Sequence, residues 1–144
     1  MSATTSALPQ GGPRVAGCLP CELESASARA VLYRDENWAC EVAEGYDVPG
    51  WFVLRARRHA EGWGALIAGE AAGFGVVAQT VSKAIQAVTG APTVYFISFG
   101  ENYPHLHFLL IARPEDLAPA APWTSANSST RRSMRWNRGI PRPT

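Results

Sequence analysis

The sequence predicts an α+β domain with an about five-stranded, largely antiparallel sheet and one long amphipathic helix. Three observations predict it: short strand-like runs joined by hairpin-length links, one sustained helical period, and two further strand-like runs after it. Ala30-Val31-Leu32-Tyr33-Arg34 and Trp38-Ala39-Cys40-Glu41-Val42 flank Asp35-Glu36-Asn37, a polar trio suited to a hairpin turn. Asp47-Val48-Pro49-Gly50 is a second turn, and Trp51 to Ala56 reads as the third strand.

The helix rests on Phe74, Val77, Val81, Ile85 and Val88, whose steps of three and four place them on one face. Gly90 supplies a left-handed stop, and Pro92 forbids continuation. Gly69, Gly73 and Gly75 weaken the first turns and blur the start. Thr93 to Phe99 is apolar on both alternating faces, which predicts a central strand covered on both sides. Gly100 to Pro104 breaks it, and His105 to Ile111 forms the last strand.

Composition bounds the rest. A chain of 144 residues with 47% hydrophobic content suits one domain. Residues 1–16 are a Ser/Thr/Ala/Gly/Pro segment expected to be disordered, 17–118 the folded domain, and 119–144 a disordered Pro/Ser/Arg-rich tail. No run of about 18 apolar residues predicts a membrane span, and the N-terminus lacks the pattern of a secretion signal. The expectation is a cytoplasmic protein with reduced thiols. Lys83 is the only lysine among 13 basic residues, a bias suggesting a GC-rich bacterial genome. Net charge is only +1, and the Arg131–Arg142 stretch with Trp136 is read as a solvated tail rather than a nucleic-acid-binding segment.

Three histidines and three cysteines carry the chemistry. Cys18-Leu19-Pro20-Cys21 has the spacing that lets two thiolates bind one tetrahedral ion; a redox pair is the competing reading. His105 and His107, two apart in a strand, point to one face about 6–7 Å apart. Leu109 and Ile111 continue that face. Cys40 reads as a small buried hydrophobe. Ser98 has no histidine free for a triad. Trp38, Trp51 and Trp63 are either core or the lining of an aromatic pocket.

His105-Leu106-His107-Phe108-Leu109-Leu110-Ile111-Ala112-Arg113 resembles the signature of the histidine-triad (HIT) family, His-φ-His-φ-His-φ-φ. Val48 to Leu54 with Arg57-Arg58-His59 is similar to the family's turn, strand and Arg/His segment, so the resemblance spans Cys18 to Arg113. It implies a HIT-like fold, a structural zinc ion on Cys18, Cys21, His59 and His105, and a two-fold homodimer. It implies that His107 is the nucleophile of a nucleotide phosphate hydrolase or nucleotidyl transferase working through a nucleotidyl-histidine. Glu101, Asn102 and Arg113 are the candidate substrate contacts for a nucleotide-like ligand. The motif departs from the pattern at Leu109, where the third histidine belongs, at Ala43, where relatives hold the ribose, and at Ala112. The alternative is therefore a HIT-fold protein that has lost nucleotidyl chemistry and binds a small molecule or performs a specialised biosynthetic step.

Overall fold

The computed structural model describes residues 13–42 and 49–115, those up to Pro114 forming one compact unit. Ala43, the turn residues Asp47 and Val48, and the Arg/Trp-rich tail lie outside the described residues. Five strands form one sheet: β1 (Val31–Arg34), β2 (Trp38–Glu41), β3 (Trp51–Ala56), β4 (Thr93–Ile97) and β5 (His107–Arg113). Every neighbouring pair is antiparallel, in the order β1-β2-β3-β5-β4.

The first hairpin turns where the polar trio lies, because the Asp35 carboxylate accepts the backbone N–H groups of Asn37 and Trp38 at 2.8 and 2.7 Å. A short helix, α1 (Leu19–Glu22), precedes the sheet, and α2 (Ala68–Thr89) connects β3 to β4. At the start of α2 the Glu70 carboxylate accepts the Ile67 N–H at 2.9 Å and binds Arg58 through two nitrogens. Those Arg58 hydrogen bonds, the largest influence, hold the Glu70 carboxyl below its ordinary range. At the other end Gly90 takes a left-handed φ of 68°, as the sequence predicts.

Val77, Val81 and Ile85 of α2 bury themselves against Trp38, Leu54, Phe108 and Leu110 of the sheet. Val88 keeps the periodic spacing but is 82% exposed in the last turn. Cys40 lies in this core, as expected, and so does Trp38, whose indole donates to the Glu70 carbonyl. Trp63 packs by its edge on Phe74 and Phe108.

Two expectations are corrected. Strand β4 is not central but the edge strand beyond β5, so one of its sides has no strand partner among the described residues. Val94 and Phe96 pack against the core and Ile97 faces the other side of the sheet, so the pattern of a doubly covered strand arises without a second strand neighbour. The last strand starts at His107 rather than His105; His105 forms an isolated bridge with Glu61. Among the described residues no helix is long and apolar enough to cross a membrane.

Candidate functional site

Cys18 caps α1, accepting the Glu22 N–H at 3.0 Å, and Pro20 occupies the first turn, where a missing N–H costs nothing. One helical turn sets Cys18 and Cys21 side by side, both buried. His59 follows β3 and His105 precedes β5. The backbone joins these two segments: Leu106 N–H donates to Ala60, and Ala56 N–H to Leu106. The fold thereby gathers residues that are 84 positions apart, with Cys21 Sγ 3.3 Å from His105 Nδ1. Cys18, Cys21, His59 and His105 each offer one ligand atom, and all four atoms lie within 4.8 Å of one another. The four residues can hold a metal ion.

The far nitrogens of both imidazoles are also engaged. His105 Nε2–H donates to the Ala56 carbonyl at 2.6 Å, which leaves Nδ1 as the bare nitrogen facing the sulfurs. His59 Nε2 pairs with the Glu61 carboxylate at 3.2 Å. Partners of this kind fix tautomer and ring orientation in metal sites. Burial pushes the His105 ring down to about 4, so it stays neutral, the form that ligates. Burial pushes the Cys18 thiol up to about 11; the charge of a bound cation favours the thiolate.

His107 points elsewhere. Its Nδ1–H donates to the carbonyl of His105 at 2.6 Å, leaving the Nε2 lone pair available. Ser98 does not touch the ring; its hydroxyl donates to the His107 carbonyl. His107 lines a groove of about 260 Å³ on the sheet face opposite α2. Trp51, Val53 and Leu109 share that groove, Leu19, Pro20 and Leu23 from the cysteine segment form one wall, and Ile97, Phe99 and Tyr103 another. Trp51 is thus the one tryptophan of the three considered that reaches the groove.

Of the expected substrate contacts, Glu101 and Asn102 are exposed on the bend that leads into Tyr103 and do not line the groove. Arg113 ends β5, six residues from His107 and about 20 Å along the strand. Sequence reasoning missed the groove walls and a buried ionic cluster beside His107. In that cluster Arg55 binds Glu41 and Glu24, Arg57 binds Glu24, and Arg34 binds Glu41. Burial alone would raise the Glu24 carboxyl, but the hydrogen bonds and charges of Arg57 and Arg55 hold it at about 2. The available signal was Arg55 itself, a charge in register with Trp51 and Val53 on a strand otherwise apolar on that face.

No protein-family model matches the chain, and a search of curated proteins finds no match. Solved structures do match. A hypothetical histidine triad nucleotide-binding protein of Sulfolobus tokodaii superposes with a TM-score of 0.58 at 20% identity, over 72% of this chain and 73% of its own. A histidine triad protein of Clostridium difficile gives 0.54 at 16%, over 74% of this chain and 98% of its own. The chain has a HIT-like fold. A further histidine triad protein, from Bradyrhizobium japonicum, gives 0.53 at 23%, over 70% of this chain and 80% of its own. Identities this low establish the HIT-like architecture and leave the chemistry to the residues themselves.

Proposed function

We propose that the chain is a HIT-type nucleotide phosphate hydrolase or nucleotidyl transferase in which His107 is the nucleophile. One observation carries this reading: the His107 Nδ1–H bond to the His105 carbonyl, which pins the ring and leaves the Nε2 lone pair beside the groove as the nucleophile. Nε2 attacks the α-phosphorus as the bond to the leaving group breaks, and the electron pair departs with that group. Water or another acceptor then attacks phosphorus, the P–N bond breaks, and the imidazole returns to its starting form. Glu101 and Asn102, next to Tyr103, are the polar groups we place at the rim. Arg113 meets only a ligand that runs the length of β5.

We assign the four-residue cluster to zinc. Zinc–sulfur bonds of about 2.3 Å and zinc–nitrogen bonds of about 2.0–2.1 Å in a tetrahedron set sulfur and nitrogen about 3.5 Å apart. The S···N separations here run from 3.3 to 3.7 Å. Zinc bound there would have four protein ligands and no open position, so its contribution is to tie the cysteine segment to the sheet. A reducing, cytoplasmic setting suits three free cysteines.

A two-fold homodimer is supported by the edge of β4, which has no strand partner among the described residues, and by the limited interior of a domain with one long helix. Light scattering at micromolar concentration should give twice the chain mass; a monomer there ends the dimer assignment.

The second reading, a HIT-fold binder without nucleotidyl chemistry, is favoured by Leu109, which offers no hydrogen bond, and by the absence of Asp, Glu, Lys and Arg from the groove lining among the described residues. A panel of nucleotides, including a nucleoside phosphoramidate with its easily expelled amine, separates the two. Release of AMP or GMP supports the first; complete inertness of the wild-type protein supports the second.

A further inference from the structure

Cys18 and Cys21 face more than two imidazoles. Cys21 also lines a cavity of about 440 Å³, together with Arg14, Val15, Ala16, Glu22 and Ser25. None of these six residues lines the groove that holds His107. Between and just after the cysteines, however, Leu19, Pro20 and Leu23 form a wall of that groove. The short helix α1 and the residues around it thus join three things: a cavity, the four-residue cluster and the groove.

The two ends of this segment are fastened differently. Cys18 and Cys21 are fastened through the cluster, whose four ligand atoms lie within 4.8 Å of one another. Three residues after Cys21, Glu24 is fastened by ion pairs to Arg55 and Arg57. The sheet side of the groove needs neither. There Leu106 N–H donates to the Ala60 carbonyl, and Ala56 N–H to the Leu106 carbonyl. Loss of a metal would therefore release the cysteine end of the wall while Glu24 and the strands stay in place. The segment is a strap with one releasable end.

We propose that Cys21 is an oxidation site, taking a hydroperoxide from the cavity, and that its oxidation opens the groove wall. The inference rests on the metal assignment and is independent of which functional reading holds. The Cys21 thiolate attacks a peroxide oxygen; an S–O bond forms, the O–O bond breaks, and hydroxide leaves. The Cys18 thiolate then attacks the sulfur of the resulting sulfenic acid, an S–S bond forms, and a second hydroxide leaves. The two sulfurs have given up two electrons, and the peroxide has become two hydroxides. The sulfurs already lie within 4.8 Å of each other, so closure asks only for adjustment within one turn. A disulfide offers no thiolate, and the pair gives up its metal. Arg14 and Glu22 set opposite charges on the cavity, which suits a neutral oxidant. Cys40 does not compete, because it is wholly buried and burial pushes its thiol up to about 12.

Hydrogen peroxide added to the zinc-loaded, full-length protein tests this. Mass spectrometry should find Cys18 joined to Cys21 and Cys40 still a thiol, with one zinc released to a chelating dye for each disulfide. Amide exchange in residues 18–23 should rise about tenfold or more, while β3 and β5 keep their protection. Acrylamide quenching of Trp51, isolated by difference from Trp51→Phe, should rise about twofold as a ring now 37% exposed loses the facing wall. Dithiothreitol with added zinc should reverse all of these. Zinc release with unchanged quenching of Trp51 overturns the switch and leaves the metal assignment standing. Equal gains of exchange in residues 18–23, β3 and β5 overturn it as well, because oxidation would then simply unfold the domain. So does peroxide that leaves both cysteines reduced. A chain that takes up no zinc ends the metal assignment and the switch together.

Discussion

His105 is wholly buried, with Nε2 on the Ala56 carbonyl and Nδ1 facing two sulfurs. His107, two residues on, is half-buried, with one nitrogen on a carbonyl and the other left with its lone pair beside an apolar groove. The first imidazole has no freedom and no vacant atom, which suits a structural ligand. The second is held in orientation yet keeps one reactive atom, which suits chemistry. One stretch of chain thus serves both regions, and the carbonyl of the first residue is what orients the second. Perturbing either histidine should therefore separate stability from activity.

The largest effect is expected at His107. His107→Ala should lower turnover of a nucleoside phosphoramidate by about 10³-fold or more, as when the atom forming the covalent intermediate is removed. Metal content and melting temperature should hardly change, since the ring ligates nothing. A variant that melts early or loses its metal would show that His107 belongs to the structural region after all.

The converse comes next. Cys18→Ser or His59→Ala should lower zinc content and melting temperature together, because binding free energy in such a site is folding free energy. Elemental analysis with thermal melts reads both. Full zinc occupancy in the Cys18/Cys21 double serine variant would remove the metal assignment.

Much of this division could be read in the sequence, and the reasons differ by element. The period of Val77, Val81 and Ile85 marked the buried face of α2, because helical packing imposes a local repeat. The four ligand positions were reached through the motif and the Cys-x-x-Cys spacing, and the fold brings them together. β4 was misplaced because a strand covered on both faces and a strand at an edge carry the same apolar run; only pairing separates them. The groove walls were invisible for a related reason. Leu19 and Leu23 come from the segment before the sheet and Phe99 and Tyr103 from the link between β4 and β5, two segments with no shared period, so nothing local announces that they meet. Glu24 was passed over likewise, its partners being 31 and 33 residues away.

Glu24 also sharpens the comparison, since it fastens the segment after the cysteines to the sheet without metal. Glu24→Gln leaves Arg55 and Arg57 short of a buried carboxylate and should cost about 3 kcal/mol. The pH dependence carries a definite sign. The folded carboxyl sits near 2, below its ordinary value of 4.5, so its contribution is full above 4.5 and fades as pH falls toward 2. The stability gap between wild type and variant should therefore narrow from pH 5 to pH 2. Acid release of metal is common to both proteins and cancels in the difference. A gap that stays constant across that range would show that Glu24 acts by packing rather than by charge.

The smallest effect is expected at Glu61, where the two imidazoles proposed as ligands differ. The outer nitrogen of His105 rests on a backbone carbonyl that no substitution removes, whereas that of His59 rests on the Glu61 side chain. That carboxylate is 62% exposed, so water competes for its hydrogen bond and solvent screens its charge. Groups that hydrogen-bond the outer nitrogen of a metal-bound histidine are worth about 10- to 100-fold in metal affinity. Glu61→Gln should fall at or below the low end, about three- to tenfold in zinc affinity by competition with a chelating dye. Gln still offers an oxygen to His59 Nε2–H, and the backbone bridge between Glu61 and His105 does not depend on the side chain. Melting temperature in excess zinc should therefore stay within a degree or two of wild type. A hundredfold loss would mean that Glu61 orients His59 as firmly as Ala56 orients His105, and the asymmetry between the two ligands would disappear.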